Sequence, residues 1–115
     1  MAKQYTDGAA FVLPRPILYK NGVNIETITA DKNLTSKDSL YQVLTNNKGS
    51  VATIKTPAKR NGLILYIKNA AASGNELYIQ DIDGVDIIGS PYLAAGKCCI
   101  LVCDGSSWAV LFEQA

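Results

Sequence analysis

Short runs in which every second residue is apolar recur along the chain from residue 21 onward. Polar stretches rich in Asn, Gly, Asp and Pro separate them. A period of two is the pattern of a β-strand with one buried face. The alternating runs are NGVNIETITA, YQVLT, SVATIKT and ELYIQDIDG. No stretch has the sustained period of 3.6 residues that predicts an amphipathic helix, although residues 36–40 allow one helical turn.

Two further runs, LILYIKN (63–69) and KCCILVC (97–103), are apolar at both alternating sets of positions. A strand with two apolar faces needs cover on both, from a second sheet or from another subunit. Roughly seven or eight short strands with regularly spaced turn signals predict an all-β fold, a single sandwich or barrel with a jelly-roll-like arrangement. We expect this domain to span residues 21–115.

The stretch LVCDGSSWAVL (101–111) predicts the closing hairpin of that domain. Asp104 and Gly105 are typical turn residues. Trp108, the only tryptophan, is expected to plug one end of the core.

The first twenty residues, MAKQYTDGAAFVLPRPILYK, differ from the rest of the chain. Pro14 and Pro16 exclude a regular helix, and Arg15 between them is restricted to extended conformations. The flanking residues are nevertheless too apolar for a free tail. We therefore expect residues 1–20 to form either an extended arm that ends on another surface or an edge strand lying on the chain's own core.

Composition and charge lower the expectation of several functions. The chain has 115 residues, 48% hydrophobic and 18% charged, with a net charge of +1. This balance favours one packed domain and gives no sign of a nucleic-acid or membrane partner. Histidine is absent, so the usual general base near neutral pH is missing. The first residues lack the order of a signal peptide, and we interpret the three cysteines as reduced thiols in a protein made in the cytoplasm.

The cysteines do not form the converging pair of a structural zinc site, and no histidine or fourth cysteine completes a set of ligands. Cys98 and Cys99 are adjacent and should point to opposite faces of a strand. Cys99 and Cys103 share a face but lie about 13 Å apart, beyond disulfide reach. We expect small buried hydrophobes rather than a nucleophile or ligands, and the sequence predicts no enzyme, no metal and no cofactor.

Two charged clusters are expected to be solvated. The acids of DIDGVD, around Gly84, predict a hairpin tip, with an incidental cation at a subunit boundary as the alternative. The cations Lys55, Lys59 and Arg60 predict a solvated loop, with an acidic neighbouring subunit as the alternative partner.

Four motifs follow each other in a fixed order within residues 31–112: a Thr-Ile-x-x-Pro strand end, Gly-Leu-x-Leu-x-Ile-x-Asn, a Leu-Ala-Ala-Gly turn, and Cys-Asp-Gly-x-x-Trp. They fall on Thr53, Ile54 and Pro57; on Gly62, Leu63, Leu65, Ile67 and Asn69; on Leu93, Ala94, Ala95 and Gly96; and on Cys103, Asp104, Gly105 and Trp108. With these motifs, residues 31–112 resemble a β-module of tailed-bacteriophage structural proteins, especially the small decoration (cement) proteins of the head.

This resemblance implies a non-catalytic homotrimer on the outside of an icosahedral capsid. Its partner would be the major capsid protein, whose neighbouring subunits it clamps. A head-fibre or tail-fibre module that binds a receptor or carbohydrate is the alternative. The arm residues expected to bind the partner are Phe11, Val12, Leu13, Pro14, Arg15, Pro16, Ile17 and Leu18. The positions expected to be structural are Gly62, Gly96, Asp104, Gly105 and Trp108.

Overall fold

A computed structural model describes residues 24–45 and 51–114. The described residues form nine β-strands and no helix, which confirms the all-β prediction. The strands are β1 Ile25–Ile28, β2 Lys32–Asn33, β3 Tyr41–Leu44, β4 Val51–Lys55, β5 Ile64–Asn69, β6 Glu76–Gln80, β7 Leu93–Ala94, β8 Cys98–Cys103 and β9 Trp108–Glu113. Residues 36–40 form turns rather than helix.

The strands divide between two sheets, with orders β1-β3-β5-β8-β9 and β2-β4-β6-β7. Up to β6 the chain changes sheet after every strand, so that β1, β3 and β5 are neighbours in one sheet and β2, β4 and β6 in the other. These neighbours pair in parallel. A parallel pair needs a crossover connection, and here each crossover contains a strand of the opposite sheet.

The last part of the chain pairs differently. Strand β7 is antiparallel to β6, β8 is antiparallel to β5, and β9 returns antiparallel to β8. The predicted closing hairpin is therefore present, with the backbone N–H of Asp104 donating to the carbonyl of Ser107 at 3.1 Å.

The jelly-roll-like arrangement expected from the sequence is not what the described strands form. A jelly roll is built from antiparallel Greek keys, whereas four of the strand pairs here are parallel. The described strands do not close a barrel, since both sheets have free edges. The reason is physical: alternation reveals which face of a strand is buried, but it is the same for parallel and antiparallel neighbours.

One hydrophobic core lies between the inner faces of the two sheets. Alternate residues of β3 to β6 and β8 point into it, as the period of two predicts. The largest apolar side chains that are fully buried are Leu44, Ile54, Leu65, Ile67, Leu77, Ile79, Leu93 and Leu101. Since both sheets supply members of one cluster, the sheets depend on each other for burial.

Candidate interaction surface on the five-stranded sheet

The outer face of the five-stranded sheet carries a row of large apolar side chains, one from each strand. Register places Ile25 beside Tyr41, Tyr41 beside Tyr66, Tyr66 beside Ile100, and Ile100 beside Phe112. We call these five residues the apolar row. It crosses the whole sheet, approximately perpendicular to the strands.

The apolar row is built as a packed surface rather than as scattered side chains. The rings of Tyr41 and Tyr66 stack with centroids 4.5 Å apart and an interplanar angle of 4°. At the two ends, Ile25 is 56% and Phe112 is 49% exposed. A shallow groove of about 260 Å³ runs along Tyr41, Tyr66 and Ile100. The three residues between them are half-buried. A contiguous, partly exposed apolar row of this kind is a candidate interaction surface.

Beside the apolar row lies a second row with little charge. Register places Val43 next to Lys68, and Lys68 next to Cys98. Lys68 is the one charged side chain among the outward-facing positions of β3, β5 and β8 in the described part of the chain. The face is therefore suited to an apolar partner rather than to an ionic one.

A second concave region lies at one end of the molecule, where the loops after β2, β4 and β6 meet. This cleft of about 540 Å³ is lined by apolar side chains such as Leu34, Leu63 and Ile82, together with charged groups. Its charges are largely paired within the described residues: Lys59 lies 4.0 Å from Asp81, and Asp38 lies 3.3 Å from Lys32.

The cysteines occupy two different environments. Cys99 and Cys103 are buried in the core, while Cys98 points to the outer face and is half-buried. Burial, with smaller contributions from Glu113 and Cys98, raises the pKa of the Cys99 thiol to about 12. That thiol therefore stays protonated at neutral pH, which suits core packing rather than nucleophilic attack. Among the residues that the structure describes, no group of three or more His, Cys, Asp or Glu side chains could hold a metal ion.

The acidic residues serve as local backbone acceptors. The Asp81 carboxylate accepts hydrogen bonds from the backbone N–H groups of Asp83 at 2.8 Å and Val85 at 3.0 Å. Asp104 does the same for Ser106 at 2.9 Å and Ser107 at 2.8 Å. These bonds favour the charged form and lower the pKa of both carboxyl groups. The two serines of the closing hairpin are thus turn-forming residues.

The other residues expected to be structural lie at turns and at the edge of the core. Gly62, Gly96 and Gly105 all have positive φ, with values of 86°, 85° and 100°. At Gly105 a Cβ atom would also lie 3.4 Å from the Cβ of Asn61. Trp108 is half-buried and packs against the core. Residues 11–18, expected to bind a partner, lie outside the described part of the chain.

Sequence reasoning did not find the apolar row as a unit. The two apolar faces of β5 and β8 were visible as continuous apolar runs. The alignment of five residues from five strands depends on strand order and register, which a single sequence does not show.

Comparison of the chain with protein-family models, with curated proteins and with solved structures finds no match in any of the three. Within the described residues there is no helix long and apolar enough to cross a membrane.

Glu113 provides a first testable prediction, because it ties β9 to the loop that precedes β7 in the other sheet. Its carboxylate accepts from the N–H of Gly89 at 2.9 Å, from the N–H of Ser90 at 3.2 Å, and from the Ser90 hydroxyl. The Ser90 hydroxyl bond, followed by the backbone bonds, lowers the pKa of Glu113. A lowered pKa in the folded state stabilises the protein above the unfolded pKa of about 4.3, and this stabilisation disappears as pH falls through the folded value.

We therefore expect Glu113→Gln to lower the urea midpoint at pH 7, and the gap to the natural chain to close between about pH 5 and pH 3. Equilibrium urea unfolding of both chains at several pH values measures this difference in urea midpoint. A gap that stays constant down to pH 3 would contradict this role of the Glu113 charge.

Proposed function

We propose that this chain is a non-catalytic structural protein of a virion, a decoration protein that binds the outside of an icosahedral bacteriophage head as a homotrimer and clamps neighbouring coat subunits. The viral assignment is supported by the ordered motifs that resemble the decoration-protein module. The role in assembly is supported by the apolar row, which spans the five-stranded sheet and whose end residues Ile25 and Phe112 are exposed.

The positions of the resembling motifs fit a scaffold role. Thr53 and Ile54 lie in β4, and Leu65, Ile67 and Asn69 point inward from β5. The motif glycines Gly62 and Gly96 have positive φ at turns. These residues build a two-sheet framework that presents surfaces, and they do not form a constellation of acid, base and nucleophile.

The mechanism of such a protein is binding alone. It adds buried area across boundaries between coat subunits and binds the assembled shell better than separated subunits, so it stabilises the shell by mass action. The outer face of the five-stranded sheet and the apolar N-terminal arm expected from the sequence are the candidate surfaces for this binding.

The arm provides the direct test. Deletion of residues 2–18 is expected to weaken attachment to the capsid while leaving the β-domain folded, because side chains between Ile28 and Leu101 build the described hydrophobic core. Occupancy on purified capsids of the matching phage can be measured by co-sedimentation and by electron cryomicroscopy. Circular dichroism and light scattering would follow the fold and the trimer.

A matched control keeps the length of the arm and replaces Phe11, Val12, Leu13, Ile17 and Leu18 by Ser. The same loss with this variant would assign attachment to the apolar side chains. Unchanged occupancy of the truncated trimer would remove the arm from the attachment site.

The second candidate function is a head-fibre or tail-fibre module that binds a receptor or carbohydrate. It is favoured by one observation: Tyr41, Tyr66 and Phe112 lie in one outward-facing row, and exposed aromatic rings are suited to stacking against sugars. Binding to a glycan panel that is lost in Tyr66→Ala would support this alternative over the decoration role.

A further inference from the structure

We propose that the cleft where the loops after β2, β4 and β6 meet binds an aliphatic monocarboxylate. Its volume is about 540 Å³, and we call it the end cleft. Arg60 holds the carboxylate of the ligand, and the hydrocarbon chain packs on the apolar walls. This activity goes beyond the role in a virion and does not depend on it.

The topology builds the end cleft from three separate loops. Strands β2, β4 and β6 are parallel neighbours in one sheet, so their carboxyl ends lie at the same end of the molecule. Leu34, Pro57 and Ile82 follow these strand ends within two residues, and all three line the cleft. Ligands of open α/β sheets also bind outside the carboxyl ends of parallel strands.

The walls of the end cleft are mainly apolar and partly uncovered. Leu34 is buried in the core cluster and Leu63 is half-buried, whereas Leu40 is 37% and Ile82 is 54% exposed. Small-molecule sites are typically clefts of about 300–1,000 Å³ with apolar walls and few polar groups. A hydrocarbon chain in the cleft would remove the exposed parts of Leu40 and Ile82 from water.

One positive charge of the end cleft is left over. Asp38 pairs with Lys32 at 3.3 Å, and Lys59 lies 4.0 Å from Asp81. Within residues 24–45 and 51–114, the Arg60 guanidinium has no ion pair and no hydrogen bond. A guanidinium binds a carboxylate through two parallel hydrogen bonds. A ligand with a single carboxylate therefore matches the charge that remains.

Arg60 and the apolar wall come from one anchored turn. The carbonyl of Arg60 accepts a hydrogen bond from the N–H of Leu63 at 3.2 Å. Gly62 inside this turn has a φ of 86°, and its N–H donates to the carbonyl of Cys103 in β8 at 2.8 Å. The cation is thus held next to an apolar side chain that lines the same cleft.

The small number of free polar side chains favours a hydrocarbon chain over a peptide. Thr35 and Asp38 are hydrogen-bonded to each other at 3.0 Å, and Lys59 has its ion pair. Among the described lining residues this leaves the Ser36 hydroxyl and the Arg60 guanidinium. Each residue of a bound peptide would bring an N–H and a C=O that need partners, whereas a hydrocarbon chain needs none.

Titration with decanoate is the direct test. Isothermal titration calorimetry of the full chain at pH 7, below the concentration at which decanoate forms micelles, gives the affinity and the stoichiometry. We expect saturable binding of one decanoate per chain. Methyl NMR spectra should place the shifts on Leu34, Leu63 and Ile82, and far-UV circular dichroism should show that the fold is retained.

Arg60→Gln tests the charged contact. Decanol keeps the hydrocarbon chain and lacks the charge, so the variant is expected to weaken decanoate about tenfold and to leave decanol unchanged. Lys68→Gln is the matched control, because it removes an exposed cation from the outer face of β5. It should change neither affinity.

Ile82→Ser tests the apolar wall. This variant is expected to weaken decanoate and decanol alike, on the order of fivefold, because it removes apolar surface that both ligands cover. Val85→Ser is the matched control, since Val85 is 60% exposed in the same loop and does not line the end cleft. It should leave both affinities unchanged.

Several outcomes would overturn the proposal. They are the absence of saturable binding up to about millimolar decanoate, an equal effect of Arg60→Gln on both ligands, and shifts centred on the outer face, for example on Ile100. Tighter binding of an apolar tripeptide with a free carboxylate would assign the cleft to a peptide instead. No capsid is present in these measurements, so their failure and the failure of the decoration role are separate results.

Discussion

Replacing Asn69 by Asp is expected to destabilise the protein by about 3–5 kcal/mol at pH 7, the range measured when a buried charge is left without a partner. Loss of this size is a large fraction of the 5–15 kcal/mol that holds a typical domain together. The substitution keeps the shape of the side chain and changes only its hydrogen-bonding groups and charge, so the effect reports on chemistry rather than on packing.

The geometry around Asn69 explains the magnitude. Asn69 ends β5 and is 0% exposed. Its Nδ2 donates to the carbonyl of Leu93, in the other sheet, at 2.9 Å and to the carbonyl of Asn75 at 3.3 Å. Its Oδ1 accepts from the N–H of Ala71 at 3.1 Å. In Asn69→Asp a carboxylate oxygen would face two carbonyl oxygens in a buried site, where neither carbonyl can donate a hydrogen bond to it.

The pH dependence of this variant has a definite sign. Burial beside two carbonyls should raise the pKa of the introduced carboxyl above its unfolded value of about 3.9. The cost is then complete at neutral pH and decreases as pH falls through the raised folded pKa, because the protonated carboxyl can donate to one carbonyl. Equilibrium urea unfolding at pH 7 and near pH 4.5 measures both the loss and its recovery.

Asn33→Asp is the matched control, since it introduces the same charge at an exposed position of β2. It is expected to change stability by less than about 0.5 kcal/mol, as is usual for surface substitutions. Equal urea midpoints for the two variants would show that Asn69 does not join the two sheets energetically.

The local elements could be predicted from the sequence because they depend on local patterns. Alternation placed Ala52 and Ile54 on one face of β4, and in the structure that face is the buried one. The Asp104-Gly105 turn identified the closing hairpin. The Asp104 side chain accepts hydrogen bonds from nearby backbone N–H groups, and Gly105 adopts a positive φ. Both are intrinsic properties of these residue types, so the sequence alone indicates them.

Pairing between strands could not be predicted in the same way. Strands β3 and β4 follow each other in sequence but lie in different sheets, and the turn-like residues between them do not indicate this. Nor was the role of Asn69 visible beyond its place in a motif, because its partner Leu93 lies 24 residues away in sequence. Contacts of this kind are set by the tertiary arrangement.

The candidate surface, too, could be predicted from the sequence only in part. The sequence indicated that β5 and β8 have two apolar faces and that both faces need cover. The apolar row became definable only when register aligned Tyr41 with Tyr66 and Tyr66 with Ile100.

The second large effect is expected from Leu101→Ala. Leu101 lies in β8, is 0% exposed and pairs in register with the buried Leu65 of β5. Truncation removes apolar area from the core and leaves a cavity whose walls relax only partly, which costs about 2–5 kcal/mol in comparable sites. Because both sheets share one core, we expect a single cooperative unfolding transition at a lower urea midpoint, with an unchanged slope.

Leu111→Ala provides a control with identical chemistry on the neighbouring strand. Leu111 lies in β9, is 66% exposed, and falls at the register shift of β9 against β8. We expect its removal to cost less than about 0.5 kcal/mol. If the two leucine variants lost the same stability, Leu111 would have to be buried in solution as completely as Leu101 is buried in the core. Repeating the pair in the chain that lacks residues 2–18 would then show whether the N-terminal segment supplies that cover.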